Sequence, residues 1–316
     1  MENIKKLNIV YFGTPSISSY VLERLILEGY NIIGVVTQID KPFGRKAILT
    51  PSPVKEVALK YNIPVYQPIK LKEDYSFLSN LKIDIILTLA YGQLVPSEVL
   101  NMPKYGCFNL HGSLLPKYRG ASPIQYSLLN GDKETGITLM EMIDKMDAGR
   151  IFYQEKVVIE DSDNYTSLTN KLKECAYNAF VIGIESVING FNNGIKQDED
   201  EVTFTKKIKK EDEILDFNKD YKEVFNKIRG LSYEPGGYFI FNNEKIKILK
   251  ASISNMVGNP STVLKYDKHD FIIGCINGSI KVEEIQRSGK KIMSYKDFYN
   301  GNMNTFKVND KLNDWT

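Results

Sequence analysis

Only three cysteines occur in the 316 residues, Cys107, Cys175 and Cys275, an odd number spread far apart with no C-x-x-C pair. That scarcity argues against a disulfide framework or a cysteine zinc site and fits a reducing compartment. Histidine is scarcer still: His111 and His269 are the whole supply. No apolar run approaches the ~18 residues that span a bilayer. The opening MENIKKLNIVYFG has too short an apolar stretch for a secretory signal and no small-residue cleavage site, so the expected location is cytoplasmic. Large net charge is missing too. A formal +2 excludes a polycation that wraps nucleic acid with its whole surface. Finally, no G-x-G-x-x-G follows the first apolar run, which counts against a dinucleotide cofactor.

What is present is ordinary globular material, 42% hydrophobic and 25% charged, enough for two cores. A chain of this length is expected to form two domains of about 100–200 residues. Short β-rich runs at Leu7–Phe12, Asn31–Thr37, Ile83–Leu89 and Cys107–His111 alternate with helical spacing at Ser18–Leu27 and Pro53–Tyr61. That alternation predicts an α/β fold with a parallel-rich sheet covered on both faces. A long helix is expected over Ser167–Ile188, followed by a linker rich in Asn and Gly. Beyond Lys206 the texture changes to short strands, at Gly237–Phe241, Ile246–Ala251, Thr262–Tyr266, Phe271–Cys275 and Ile280–Ile285, with a helix near Tyr221–Arg229. This describes a smaller, mainly β domain. The expected division is 1–189, a linker at 190–207, and 208–316. Formal charge is roughly −3 before Lys206 and roughly +5 from there on.

Parallel sheets bind ligands at the carboxyl ends of their strands. Three such ends are polar or glycine-marked: Gly13-Thr14, Tyr91-Gly92 and Asn109-Leu110-His111-Gly112. In an extended segment Asn109 and His111 share a face. An amide donor beside an imidazole suits a carbonyl oxygen gaining negative charge, where one donor is typically worth about 2.7–4 kcal/mol. On spacing alone, a capped strand end with a satisfied histidine is the commoner outcome. Asp147 lies in a turn between the strand-like Gly136–Met142 and Ile151–Ile159. It reads either as a turn former or as a carboxylate that orients the imidazole and helps remove a proton. The irregular loop from Ser113 to Pro123, with its prolines, leucines and two cations, suits a rigid lip around a flat, acidic ligand.

Together these residues carry a family resemblance. NLHGSLLPKYRGASPIQ, followed by GDKETGITLMEMIDKMDAGRI, is similar to the core of the 10-formyltetrahydrofolate-dependent formyltransferases. FGTP (Phe12–Pro15), the loop from Thr37 to Lys55, AYGQLVP (Ala90–Pro96), Arg229–Phe239 and Ile285–Gly301 narrow the resemblance to members acting on methionyl initiator tRNA. It spans nearly the whole chain. The resemblance implies a Rossmann-type formyltransferase domain followed by an OB-like β-barrel, and no metal. It implies that Asn109 and His111 polarise the formyl carbonyl and that Asp147 holds the imidazole. Ser113, Leu114, Leu115 and Pro116 would line the folate pocket, with Tyr91 and Gly92 nearby. Arg45, Lys41 and Lys46 would contact the tRNA, and the enzyme would act as a monomer.

The chain departs from that family in two places. Ala47-Ile48-Leu49 stands where more basic residues are common, and Ile17 where phenylalanine is frequent. Lysines at 206, 207, 209, 210, 290 and 291 fit a surface that positions a nucleic-acid backbone, although such runs are more often simply solvated. Three other readings compete: a formyltransferase for a nucleotide-linked amino sugar, a non-catalytic RNA binder on a retired scaffold, and a nicotinamide dehydrogenase. The Arg45 loop and C-terminal match oppose the first, the intact Asn109, His111 and Asp147 the second, and the missing glycine fingerprint the third.

Overall fold

A computed structural model describes residues 2–44, 47–189 and 194–313. The chain forms two compact units. The first comprises Met1–Pro123, Thr135–Val157 and Thr169–Thr205; the second comprises Ile124–Glu134, Val158–Leu168 and Lys206–Thr316. The partition does not fall at one point of the chain, because two short N-terminal stretches pack with the C-terminal unit.

The first unit is built on a seven-stranded sheet. Its strands run in the order Ile151–Val158, Glu134–Glu141, Cys107–His111, Ile85–Leu89, Ile9–Gly13, Ile32–Val36 and Val65–Tyr66. Pairing is parallel from Val65–Tyr66 across to Cys107–His111, and Glu134–Glu141 then runs antiparallel to Cys107–His111. Every residue of Ile9–Gly13 and of Ile85–Leu89 is buried, as expected for central parallel strands covered on both faces. The α/β expectation is thereby met. Strand order reverses about Ile9–Gly13, and such a reversal opens a crevice at the carboxyl ends of the strands.

Helix starts follow local chemistry. Pro53 opens the helix Pro53–Lys60, where its missing N–H costs nothing, and Ser52 caps it by accepting from the Lys55 amide. The Ser52 hydroxyl also shares a 2.7 Å hydrogen bond with Thr37. That contact pins together the two ends of the segment whose described residues hold a hairpin, Lys41–Phe43 against Ile48–Thr50. The hairpin was not foreseen, because its strands are only three residues each and leave no periodic pattern.

The second unit is an antiparallel sheet with one apolar core. The order is Gly237–Phe241, Glu244–Ser254, Gly278–Arg287, Phe271–Cys275, Val263–Tyr266, with Met293–Ser294 beside Gly278–Arg287. Asn242 and Asn243, both left-handed, make the tight turn between the first two strands. Phe217, Phe239, Phe271 and Phe298 are fully buried inside it. The two edge strands are joined through the chain's end. Asn309 donates to the Val263 carbonyl, Val263 donates to Asp310, and Asn313 donates to the Ile240 carbonyl. An edge covered in this way is removed as a template for aggregation. The mainly β character expected beyond Lys206 is therefore observed, and the sheet is brought round on itself.

Candidate active site

The strand Cys107–His111 lies one intervening strand from the reversal at Ile9–Gly13, parallel to Ile85–Leu89, so its carboxyl end falls on the same edge of the sheet. Its register sets Asn109 opposite Thr88 on one side and Met140 on the other, and His111 opposite Thr138. The His111 side chain is 5% exposed. Its Nε2 lies 2.8 Å from the Tyr118 carbonyl oxygen. A carbonyl can only accept, so Nε2 carries the proton and Nδ1 is the nitrogen left for chemistry. Nδ1 faces Asp147 Oδ2 at 3.7 Å, with the carboxylate side chain 16% exposed. The same oxygen accepts from the Gly120 amide at 2.8 Å. Asn109 is half-buried, and among the described residues its side-chain amide has no hydrogen-bond partner. The structure thus brings Asn109, His111 and Asp147 to one place, from positions 38 residues apart at the extremes.

The loop after the strand is fixed from within. Ser113 is fully buried; its hydroxyl donates to the Lys117 carbonyl, and its own carbonyl accepts from Thr138. Thr138 Oγ1 in turn accepts from the Leu115 amide, and Gln154 donates to both the Leu115 carbonyl and Thr138. The Leu115–Pro116 peptide is cis. Leu115 is buried, while Leu114 and Pro116 stay half-exposed. Tyr91 is buried edge-on against Phe12, and its carbonyl accepts from Thr14 and Gln38. Burial pushes the Tyr91 phenol well above its ordinary range. Gly92, at φ +89°, turns the chain away from the sheet.

Arg119 corrects one expectation. As half of a cationic lip it would face solvent, yet it is fully buried. Its Nε donates to Gln197 at 2.9 Å and its Nη2 to Glu199 at 2.9 Å. Lys145 also donates to Glu199, at 2.8 Å. Beside these cations, Arg119 first, the Glu199 carboxyl is held down at about 2. Gln197 donates to the carbonyls of Asp147 and Gly149, each at 2.8 Å. The strand Phe204–Thr205 pairs in parallel with Arg119–Gly120. Gly120 makes this approach possible: at φ +108°, a Cβ there would lie 2.5 Å from the Thr205 carbonyl oxygen. Sequence reading missed Gln197 and Glu199, which sit in a charged run that composition assigns to a linker. The only signal for Arg119 was its place in the loop.

Of the expected tRNA-contacting residues, Lys41 is exposed on the hairpin, and Arg45 and Lys46 lie outside the described residues. Lys55 is not free for phosphate: it pairs with Asp40 at 2.7 Å and donates to Gln67. Lys55 first, then Gln67, depress the Asp40 carboxyl. Among the described residues no helix is long and apolar enough to cross a membrane.

A parallel-rich sheet carrying an asparagine and a histidine at one strand end, faced by an aspartate from a neighbouring turn, defines a class. Residues 5–184 match the formyl transferase family, and residues 207–303 match the formyl transferase C-terminal domain. A methionyl-tRNA formyltransferase of Lactobacillus johnsonii is 43% identical over 311 residues, covering 97% of this chain and 99% of the relative. The chain belongs to the methionyl-tRNA formyltransferase family. Among solved structures, HypX from Aquifex aeolicus in complex with tetrahydrofolic acid superposes with a TM-score of 0.68 at 16% identity, covering 96% of this chain and 48% of that one. WlaRD, a sugar 3N-formyl transferase, gives 0.63 at 24% identity, covering 90% and 99%. At such identities the likeness speaks for the fold.

Proposed function

We propose that this chain transfers the formyl group of 10-formyltetrahydrofolate to the α-amino group of methionyl initiator tRNA. The observation that carries the reading is the convergence of Asn109, His111 and Asp147, with the Asn109 amide uncommitted. The neutral amine attacks the formyl carbon, the carbonyl oxygen becomes an oxyanion, and Asn109 donates to it. A proton must then leave the attacking nitrogen and reach N10 of the folate as the C–N10 bond breaks. His111 Nδ1 and the Asp147 carboxylate are the groups placed to take that proton and return it. The 3.7 Å between them is beyond a direct hydrogen bond, and catalytic contacts of this kind commonly tighten when substrate binds.

In the same reading, Leu114 and Pro116 offer apolar surface to the folate, while Ser113 and Leu115 hold the loop's shape. Tyr91 and Gly92 bound the other side of the folate pocket. Arg45, Lys41 and Lys46 grip the tRNA acceptor end, and exposed lysines from Lys206 onward engage its backbone. The enzyme works as a monomer in the cytoplasm. Supporting the tRNA substrate over an amino sugar are the relative's 43% identity along its whole length and the match to the C-terminal domain. The test is formyl transfer from 10-formyltetrahydrofolate to methionyl initiator tRNA, with methionyl elongator tRNA alongside. Initiator-selective transfer is expected; transfer to a nucleotide-linked amino sugar and to neither tRNA would overturn the reading.

A further inference from the structure

We infer that Gln197 is a positioning residue for the transfer reaction, acting through Asp147. The inference rests on the reading of Asp147 as the partner of the His111 imidazole. Asp147 sits at φ +49°, a left-handed conformation that aspartate tolerates better than most L-residues but that is held only where its surroundings fix it. Within the turn itself the Ala148 amide donates to the Lys145 carbonyl at 3.3 Å. A further constraint arrives from a stretch fifty residues later: one amide nitrogen, Gln197 Nε2, bridges the carbonyls of Asp147 and Gly149. The orientation of this amide is set by its partners. On its other side the Gln197 oxygen faces Arg119 Nε, a donor that no amide nitrogen could accept.

Arg119 is the hub of the arrangement. Its buried guanidinium holds Gln197 and Glu199. Glu199 in turn anchors Lys145, two residues before Asp147. Meanwhile the residues flanking Arg119 touch the reacting centre directly: the Tyr118 carbonyl fixes the His111 ring, and the Gly120 amide holds Asp147 Oδ2. The loop that orients the imidazole and the turn that presents the carboxylate are therefore locked to each other through Gln197. Without that lock the Asp147 turn is free to relax toward right-handed backbone, and the carboxylate leaves Nδ1.

Gln197→Met removes the donor while keeping the side chain's length, and Gln197→Glu keeps an acceptor for Arg119 while removing both donations to the turn. Each variant is expected to fold and to lose about 10- to 100-fold in kcat, the scale of a misplaced catalytic group, with KM for folate and tRNA little changed. In an Asp147→Asn background the same substitutions should add almost nothing, because residues acting as one unit do not add. Costs that multiply in that background, or wild-type kcat in folded Gln197 variants, would overturn the inference.

A second readout needs no substrate. With only His111 and His269 in the chain, the ¹⁵N resonance of His111 Nδ1 is assignable by its loss in His111→Ala. In Gln197→Met it should move toward its position in Asp147→Asn; an unmoved resonance refutes the lock. A wild type inactive on methionyl-tRNA would sink the proposed substrate alone, since the resonance still reports on the lock.

Discussion

The Asp147 turn and the Thr37–Lys55 segment serve one proposed reaction and are built in opposite ways. Around Asp147 almost every polar group is engaged within the protein, through Gly120, Gln197, Arg119, Glu199 and Lys145. The other segment is tied at its ends, by Thr37 to Ser52 and by Asp40 to Lys55, and its hairpin turns Ile48 and Leu49 outward, 62% and 68% exposed. The difference follows the tasks. Stabilising an oxyanion and relaying a proton require donors fixed within a few tenths of an ångström before substrate arrives. Holding a phosphate backbone requires only positive charge within reach. Loss of a group in the first region should therefore appear in kcat, and loss in the second in KM.

The largest effect belongs to the first region. Asn109→Ala should lower kcat by about 10²–10³, the usual effect of removing one oxyanion donor, with thermal stability unchanged because the amide has no partner among the described residues. Near-normal turnover by a folded Asn109→Ala enzyme would remove the oxyanion role. A smaller effect sits in the second region. Arg45→Ala should raise KM for methionyl-tRNA roughly tenfold, the size of one charge-assisted hydrogen bond near 1.5 kcal/mol. It should also flatten the salt dependence of tRNA affinity by about one counterion. Folate binding should not change. If Arg45→Ala lowered kcat and left KM alone, the contrast between the two regions would collapse.

Most of this architecture is legible in the sequence. Cys107–His111, Gly237–Phe241 and Phe271–Cys275 have the bounds expected from their apolar runs. The first and last are buried along nearly their whole length, which forces continuous hydrophobic stretches, while Gly237–Phe241 buries alternate residues. The long helix is displaced by only a residue or two at each end, Tyr165–Asn189 against the expected Ser167–Ile188. The geometry around Asp147 is another matter. Gln197 and Glu199 lie in Gln197–Glu201, a run whose composition reads as solvated linker, and linkers of that kind are normally outside any site. What makes them structural is a buried arginine 78 residues earlier, and no local pattern encodes a partner at that distance. Likewise the burial of Arg119 cannot be read from a loop that also holds the exposed Lys117.

The smallest effect tests how the lock around Asp147 responds to acid. With Arg119 and Lys145 holding it, the Glu199 carboxyl titrates at about 2 in the folded protein, against about 4.3 for an unfolded glutamate. A depressed folded value means that the stabilisation is fully present above the unfolded value and is lost as the pH falls toward the folded one. Glu199→Gln should accordingly lower Tm slightly at neutral pH, and the gap to wild type should close as the pH drops from about 4.3 toward about 2. The gap is expected to be small because the carboxylate is exposed and screened by solvent. A gap that stays constant through that interval would show Glu199 to be held by shape rather than by charge. The anchoring of Lys145 near Asp147 would then have to be assigned to packing, leaving Gln197 and the Gly120 amide as the polar links between the two catalytic loops.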